Sequence, residues 1–175
     1  MELTHLPADL LSAAKAGDFP AGTLIFTPYA WYGEEPLQLG IRVGDEGDIF
    51  ALTDWHGGRS KAGTIVTTRG DRPVFGFQHV ARLYLNPSTS TVAINSSRAA
   101  NGFVALSSEG LVLASIRPDP NFHTMSYPYL IDPRTWQPLA ASAQVSPEVW
   151  FDDWQIRIEL SGNETFVASI ARQAD

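Results

Sequence analysis

Between Leu37 and Val43, apolar and polar positions alternate. Leu37, Leu39, Ile41 and Val43 fall on one side of an extended chain, and Gln38, Gly40 and Arg42 on the other. Residues 154 to 160 repeat the pattern, with Trp154, Ile156, Ile158 and Leu160 set against Gln155, Arg157 and Glu159. A period of two predicts antiparallel strands with one face on a core and the other in water. Further strands are predicted at about 22–27, 48–53, 63–68, 73–77, 79–86, 90–95, 102–107, 110–116, 127–131 and 164–170. Gly, Pro, Asn, Asp or Ser punctuates nearly every gap between them, as turns require. Short gaps force neighbouring strands to run antiparallel, so residues 79 to 116 are expected to form a meander.

The period changes only near the amino terminus. Pro7 suits a first helical position, Leu6, Leu10, Leu11 and Ala14 recur at helical spacing, and Gly17 suits the residue beyond the last turn. A helix over about 7–16 is therefore predicted, covering a face or edge of a sheet. One short helix followed by about a dozen strands predicts an all-β domain: an antiparallel sandwich or an open barrel-like meander spanning residues 1–175. The 175-residue length fits a single domain able to bury a sizeable core without a metal or disulfide staple.

Composition narrows the chemistry. The chain has no cysteine, which removes disulfides, thiolate nucleophiles and cysteine-ligated metals. Nineteen acids against twelve basic residues give a net charge of −7, a poor match to a phosphate backbone, so nucleic acid is not expected as a partner. Arg42, Arg82 and Arg157 lie on strand-like segments and are expected to face solvent or pair with acids. The amino-terminal twenty residues lack a basic start and a long apolar run, and no stretch approaches about 20 apolar residues. A cytoplasmic protein without membrane contact is the expectation.

Catalytic signatures are sparse. The segment TDWHGGRSKAG, residues 53–63, gathers Asp54, His56, Arg59 and Lys61, but it sits between two period-two strands and carries Gly57-Gly58. It reads as a polar connection between paired strands. It does not fit a phosphate-binding loop, because no lysine follows the final glycine and a strand follows rather than a helix. His5, His56, His79 and His123 show none of the spacings of common metal motifs, so neither a metal nor a cofactor is expected. If the chain were an enzyme, a hydrolase or isomerase, His56, His79, His123, Asp54 and Arg59 would have to carry the chemistry.

Two features favour binding instead. Glu34, Glu35, Asp45, Glu46, Asp48 and Asp54 fall within 21 residues, opposed in that window only by Arg42. An electronegative patch of this kind would steer a basic protein partner. Trp31 and Tyr32, and Trp150 with Asp152 and Asp153, place aromatics beside carboxylates, as recognition surfaces do. The first expectation is thus a non-catalytic protein-binding module, an immunity-type protein that neutralises a partner, with a second copy of the chain as another possible occupant. The alternative is a β domain that binds a small ligand or carbohydrate through Trp31, Trp55, Trp136 and Trp150.

Overall fold

The computed structural model describes residues 11–27, 38–55, 60–68, 73–85, 102–107, 110–118, 126–140, 149–151, 153–160 and 163–170. In chain order the strands are β1 (Leu11–Ala14), β2 (Thr23–Thr27), β3 (Gln38–Val43), β4 (Asp48–Ala51), β5 (Ile65–Thr67), β6 (Val74–Val80) and β7 (Arg82–Leu85). They continue as β8 (Phe103–Ser107), β9 (Gly110–Pro118), β10 (Ser126–Asp132), β11 (Gln137–Pro138), β12 (Val149–Phe151), β13 (Trp154–Leu160) and β14 (Asn163–Ile170). The fold is all-β and its ladders are antiparallel. Three sheets have the orders β1-β6-β2-β3-β4-β5, β11-β10-β9-β8-β12 and β14-β13-β7.

One core joins all three. Leu24, Leu39, Ile41, Phe50 and Phe77 of the six-stranded sheet pack with Val104, Leu113 and Ile131 of the five-stranded sheet and with Trp154, Ile156 and Ile158 of β13. The layers are also stitched at their margins. β6 passes into β7 through the single residue Ala81, changing sheets as it does so. Trp136 donates its indole N–H to the Ala81 carbonyl at 2.8 Å, and Trp154 donates to the Gly102 carbonyl at 2.6 Å. Each buried indole thus satisfies its one donor where the chain bends.

Among the described residues the helical element is a single 3-10 turn, Ala16–Asp18, closed by Asp18 N–H to Lys15 O and Phe19 N–H to Ala16 O. Of the predicted span 7–16, residues 7–10 lie outside the described residues, and Leu11–Ala14 are a strand, with Leu11 opposite Phe77 and Ala14 opposite Val74. Short isolated helices are marginal in water, and over Leu11–Ala14 ladder pairing with β6 prevails. The expected meander holds for β8 and β9, whereas β7 leaves it to pair with β13. The strand predicted at 90–95 lies outside the described residues.

A second departure concerns the face expected to be wet. β2, β3 and β4 are buried at every position, including Gln38, Gly40 and Arg42. The outer face of this six-stranded sheet carries its own apolar cluster of Ile25, Ile49, Ala51, Val66 and Val74 beneath Ala16, Phe19 and Trp55. Glycines make room for these covering rings. A Cβ at Gly40 would lie 2.8 Å from the Phe50 carbonyl oxygen and 3.3 Å from the Trp55 ring. Alternation alone cannot report that a neighbouring segment folds over the polar side.

Candidate functional site

The turn between β3 and β4, residues 44–47, is where buried and exposed charge meet. Arg42 is 2% exposed, and its guanidinium donates to the carbonyls of Ala16 (2.9 Å), Val43 and Gly44. Burial lowers its pKa, while the negative charges of Asp45 and Asp48 and the Tyr129 phenol raise it in part. Arg42 therefore does not face solvent and, among the described residues, bonds no carboxylate directly, contrary to expectation; it grips the turn's backbone from below. Gly44 and Gly47 have φ of 62° and 82°, conformations that favour glycine, so the turn's shape is fixed by sequence as well as by Arg42.

Asp48 anchors the turn to the second sheet. It too is 2% exposed, so it is removed from the surface patch that its place in the sequence suggests. Its Oδ1 accepts from Thr67 Oγ1 at 2.9 Å and Arg117 Nη2 at 3.1 Å, and its Oδ2 accepts from the Tyr129 hydroxyl at 3.2 Å. The buried carboxylate is thereby compensated by one cation and two hydroxyls. The Arg117 guanidinium lies 5.8 Å from the centre of the Tyr129 ring. Burial, the Asp48 charge and the hydrogen bond to it push the Tyr129 pKa from 10.0 to about 12. The phenol is thereby kept neutral and its pKa lies further above physiological pH, the wrong direction for a general base.

A second turn latches onto the first. In the tight connection from β10 to β11, Trp136 adopts a left-handed φ of 57° with its ring fully buried. A bulky residue there is strained, and the surrounding contacts hold it in place. Gly44 N–H donates to Trp136 O at 2.9 Å, and Gln137 Nε2 donates to Asp45 Oδ1 at 3.3 Å. Arg134 at the tip is bound by both its Nε and Nη2 to Asp132. That pair holds the Asp132 carboxyl below its ordinary range.

Of the predicted patch, Asp45 and Glu46 remain on the surface, with the Glu46 side chain 81% exposed. Three carboxylates (Asp45, Glu46 and Asp48) face two guanidiniums (Arg42 and Arg117), leaving one net negative charge. Sequence proximity shows only Arg42; Arg117 arrives from β9. Glu34, Glu35, Trp31, Tyr32 and Asp152 lie outside the described residues, as does the Trp150 side chain on β12. Asp153 is half-buried between β12 and β13.

Asp54 is exposed and accepts from Lys61 Nζ at 2.7 Å and from the Ala62 amide at 3.0 Å. Those bonds hold its carboxyl below the ordinary range. The connection from β4 to β5 joins antiparallel neighbours, and a bridge between Trp55 and Ser60 narrows it. Trp55 is buried and donates to Leu39 O at 3.1 Å, pinning the base of this connection. His56, His123 and Arg59 lie outside the described residues, as does the His79 side chain. Among the described residues no three His, Cys, Asp or Glu side chains form a group that could hold a metal.

The aromatic reading shifts as well. Trp55 and Trp136 are in the core and offer no platform. Sequence reasoning missed Tyr127 instead. On β10, Ile131, Tyr129 and Tyr127 share one face, and exposure climbs along it from zero to 54% as the strand leaves the core. Tyr127 is paired across the ladder with Arg117. No signal in SYPYLID distinguishes the exposed tyrosine from the half-buried one two residues on. Among the described residues no helix is long and apolar enough to cross a membrane. No protein-family model, curated protein or solved structure matches this chain.

Proposed function

We propose that this chain is a non-catalytic protein-recognition module that engages a basic partner through the turn bearing Asp45 and Glu46. The observation that supports this reading is the contrast between the turn's exposed acids and its buried base. Arg42 holds the backbone from inside, and Asp48 ties the adjoining strand to β9 and β10. Charge presented on a preordered turn binds without the entropic cost of ordering a loop. Tyr127 and Arg117 next to it are of the residue types that dominate binding energy at protein interfaces.

The test begins with a photo-crosslinking residue at position 45 in the native cell, which captures the partner in place. Association of the purified pair is then followed by stopped-flow at several salt concentrations. Reversing both charges, Asp45→Lys with Glu46→Lys, is expected to slow association about tenfold at low salt and to flatten its salt dependence. An unchanged on-rate and salt dependence would show that this turn is not the interface.

A further inference from the structure

We propose that Gly22, Arg42, Gly44, Ala81 and Trp136 form a conformational lock that opens and closes as one unit, tying the acidic turn at 44–47 to the point where β6 leaves for another sheet. These residues are joined head to tail by hydrogen bonds. The Arg42 guanidinium donates to Gly44 O, Gly44 N–H donates to Trp136 O at 2.9 Å, and the Trp136 indole donates to Ala81 O at 2.8 Å. Ala81 N–H then donates to Gly22 O, and Gly22 N–H returns to Arg42 O, each at 2.8 Å. Within the ring every member donates once and accepts once, so the chain of donors closes on itself.

The ring gathers segments that are far apart in sequence: the residue before β2, the end of β3 with its turn, the β6–β7 crossing and the β10–β11 turn. In a closed ring each bond is aligned by all the others, so breaking one loosens the rest. Trp136 supplies the tendency to open. Its φ of 57° is strained for a bulky side chain, and its ring partner Gly44 is left-handed as well, at 62°. The indole bond to Ala81 and the carbonyl bond from Gly44 help to hold Trp136 there, and once either is lost the strain works against the other. Gln137, the next residue, holds the Asp45 carboxylate through Nε2, so relaxation at Trp136 also frees the exposed acid. Movement at Ala81 and a ligand on the acidic turn are thereby linked through one equilibrium, each altering the other.

The experiment is native-state amide hydrogen exchange on the full chain, labelled with nitrogen-15, in a series of low urea concentrations. No partner is added, so the outcome is independent of the protein-binding reading. The expected result is that the Gly22, Gly44 and Ala81 amides follow one opening curve, shallower in urea than that of the slowest strand amides, which report global unfolding. Trp136→Phe, which loses the indole donor, should speed exchange of all three together by about tenfold. Trp154→Phe loses the indole bond to Gly102, outside the ring, and should speed the slowest strand amides while leaving the three unchanged. The curves of the parent decide the matter even where a variant does not fold. The proposal is overturned if those three amides follow separate curves in the parent, or if their common curve coincides with global unfolding. It is equally overturned if Trp136→Phe speeds only one of them, or if Trp154→Phe speeds them as much as Trp136→Phe does.

Discussion

Asp48→Ala tests the base of the candidate site directly. The substitution deletes the one acceptor shared by Thr67, Arg117 and Tyr129 and withdraws a negative charge from buried Arg42. Breaking a buried ionic cluster by removing one partner costs about 3–5 kcal/mol. Arg117 is partly open to water, which can rehydrate its freed donor, so the lower end applies: about 3 kcal/mol. For a chain of this length that corresponds to a fall in Tm of about 6–12 °C. The assay is urea unfolding followed by tryptophan fluorescence, with thermal unfolding as a second probe. Glu46→Ala is the control, because it removes an exposed carboxylate from the same turn and should cost less than about 0.5 kcal/mol. If Asp48→Ala were no more damaging than Glu46→Ala, Asp48 would not be the anchor inferred here.

The raised Tyr129 pKa sets a direction for stability at high pH. The folded state keeps the phenol proton up to about 12 while the unfolded chain loses it near 10.0, so this contribution is full below pH 10 and declines as pH rises toward 12. Urea midpoints across that range should fall more steeply for the parent than for Tyr129→Phe; parallel profiles would remove the phenol–Asp48 contact from the account. Gly40→Ala should destabilise by about 2 kcal/mol or more, because its new Cβ meets the immobile Phe50 carbonyl as well as the Ile49 and Trp55 side chains. Gly76→Ala should also destabilise, because the three atoms nearest its new Cβ all belong to the buried Phe19 ring, which has to move; it should cost less than Gly40→Ala because those atoms are side chain and not backbone, and calorimetric Tm values for the two variants give the order. Lys61→Ala removes an ion pair exposed on both sides and should change stability by less than about 0.5 kcal/mol in urea unfolding, with a larger loss contradicting a surface role.

Strands were legible where alternation coincided with burial. WQIRIEL reads correctly because Trp154, Ile156 and Ile158 are buried in the core while Gln155 and Arg157 are half-buried and Glu159 is exposed. LQLGIRV has the same pattern and a different outcome, because Trp55 and the turn around Phe19 fold over its polar side. β1 was illegible for a related reason: Leu11–Ala14 contains good helix formers, and only the distant partner strand β6 makes it extended. The candidate site was half legible. Asp45 and Glu46 could be picked out as surface acids from a turn signal, but Asp48 meets Arg117 across 69 positions and Tyr129 across 81. No local pattern encodes such pairings, so the sequence alone places Asp48 among the surface acids although it is the site's buried foundation.

Recognition of a basic partner through Asp45 and Glu46 draws on charge, which salt screens over about 10 Å at 0.1 M. Arg117 is bound to buried Asp48 at 3.1 Å and stands 4.0 Å from Glu46, so its charge is shared between two carboxylates, while among the described residues Asp45 is hydrogen-bonded only by the side-chain amide of Gln137. Asp45→Lys alone is therefore expected to flatten the salt dependence of association more than Glu46→Lys alone, and the reverse order in a salt series would place the main contact on the Glu46 side of the turn.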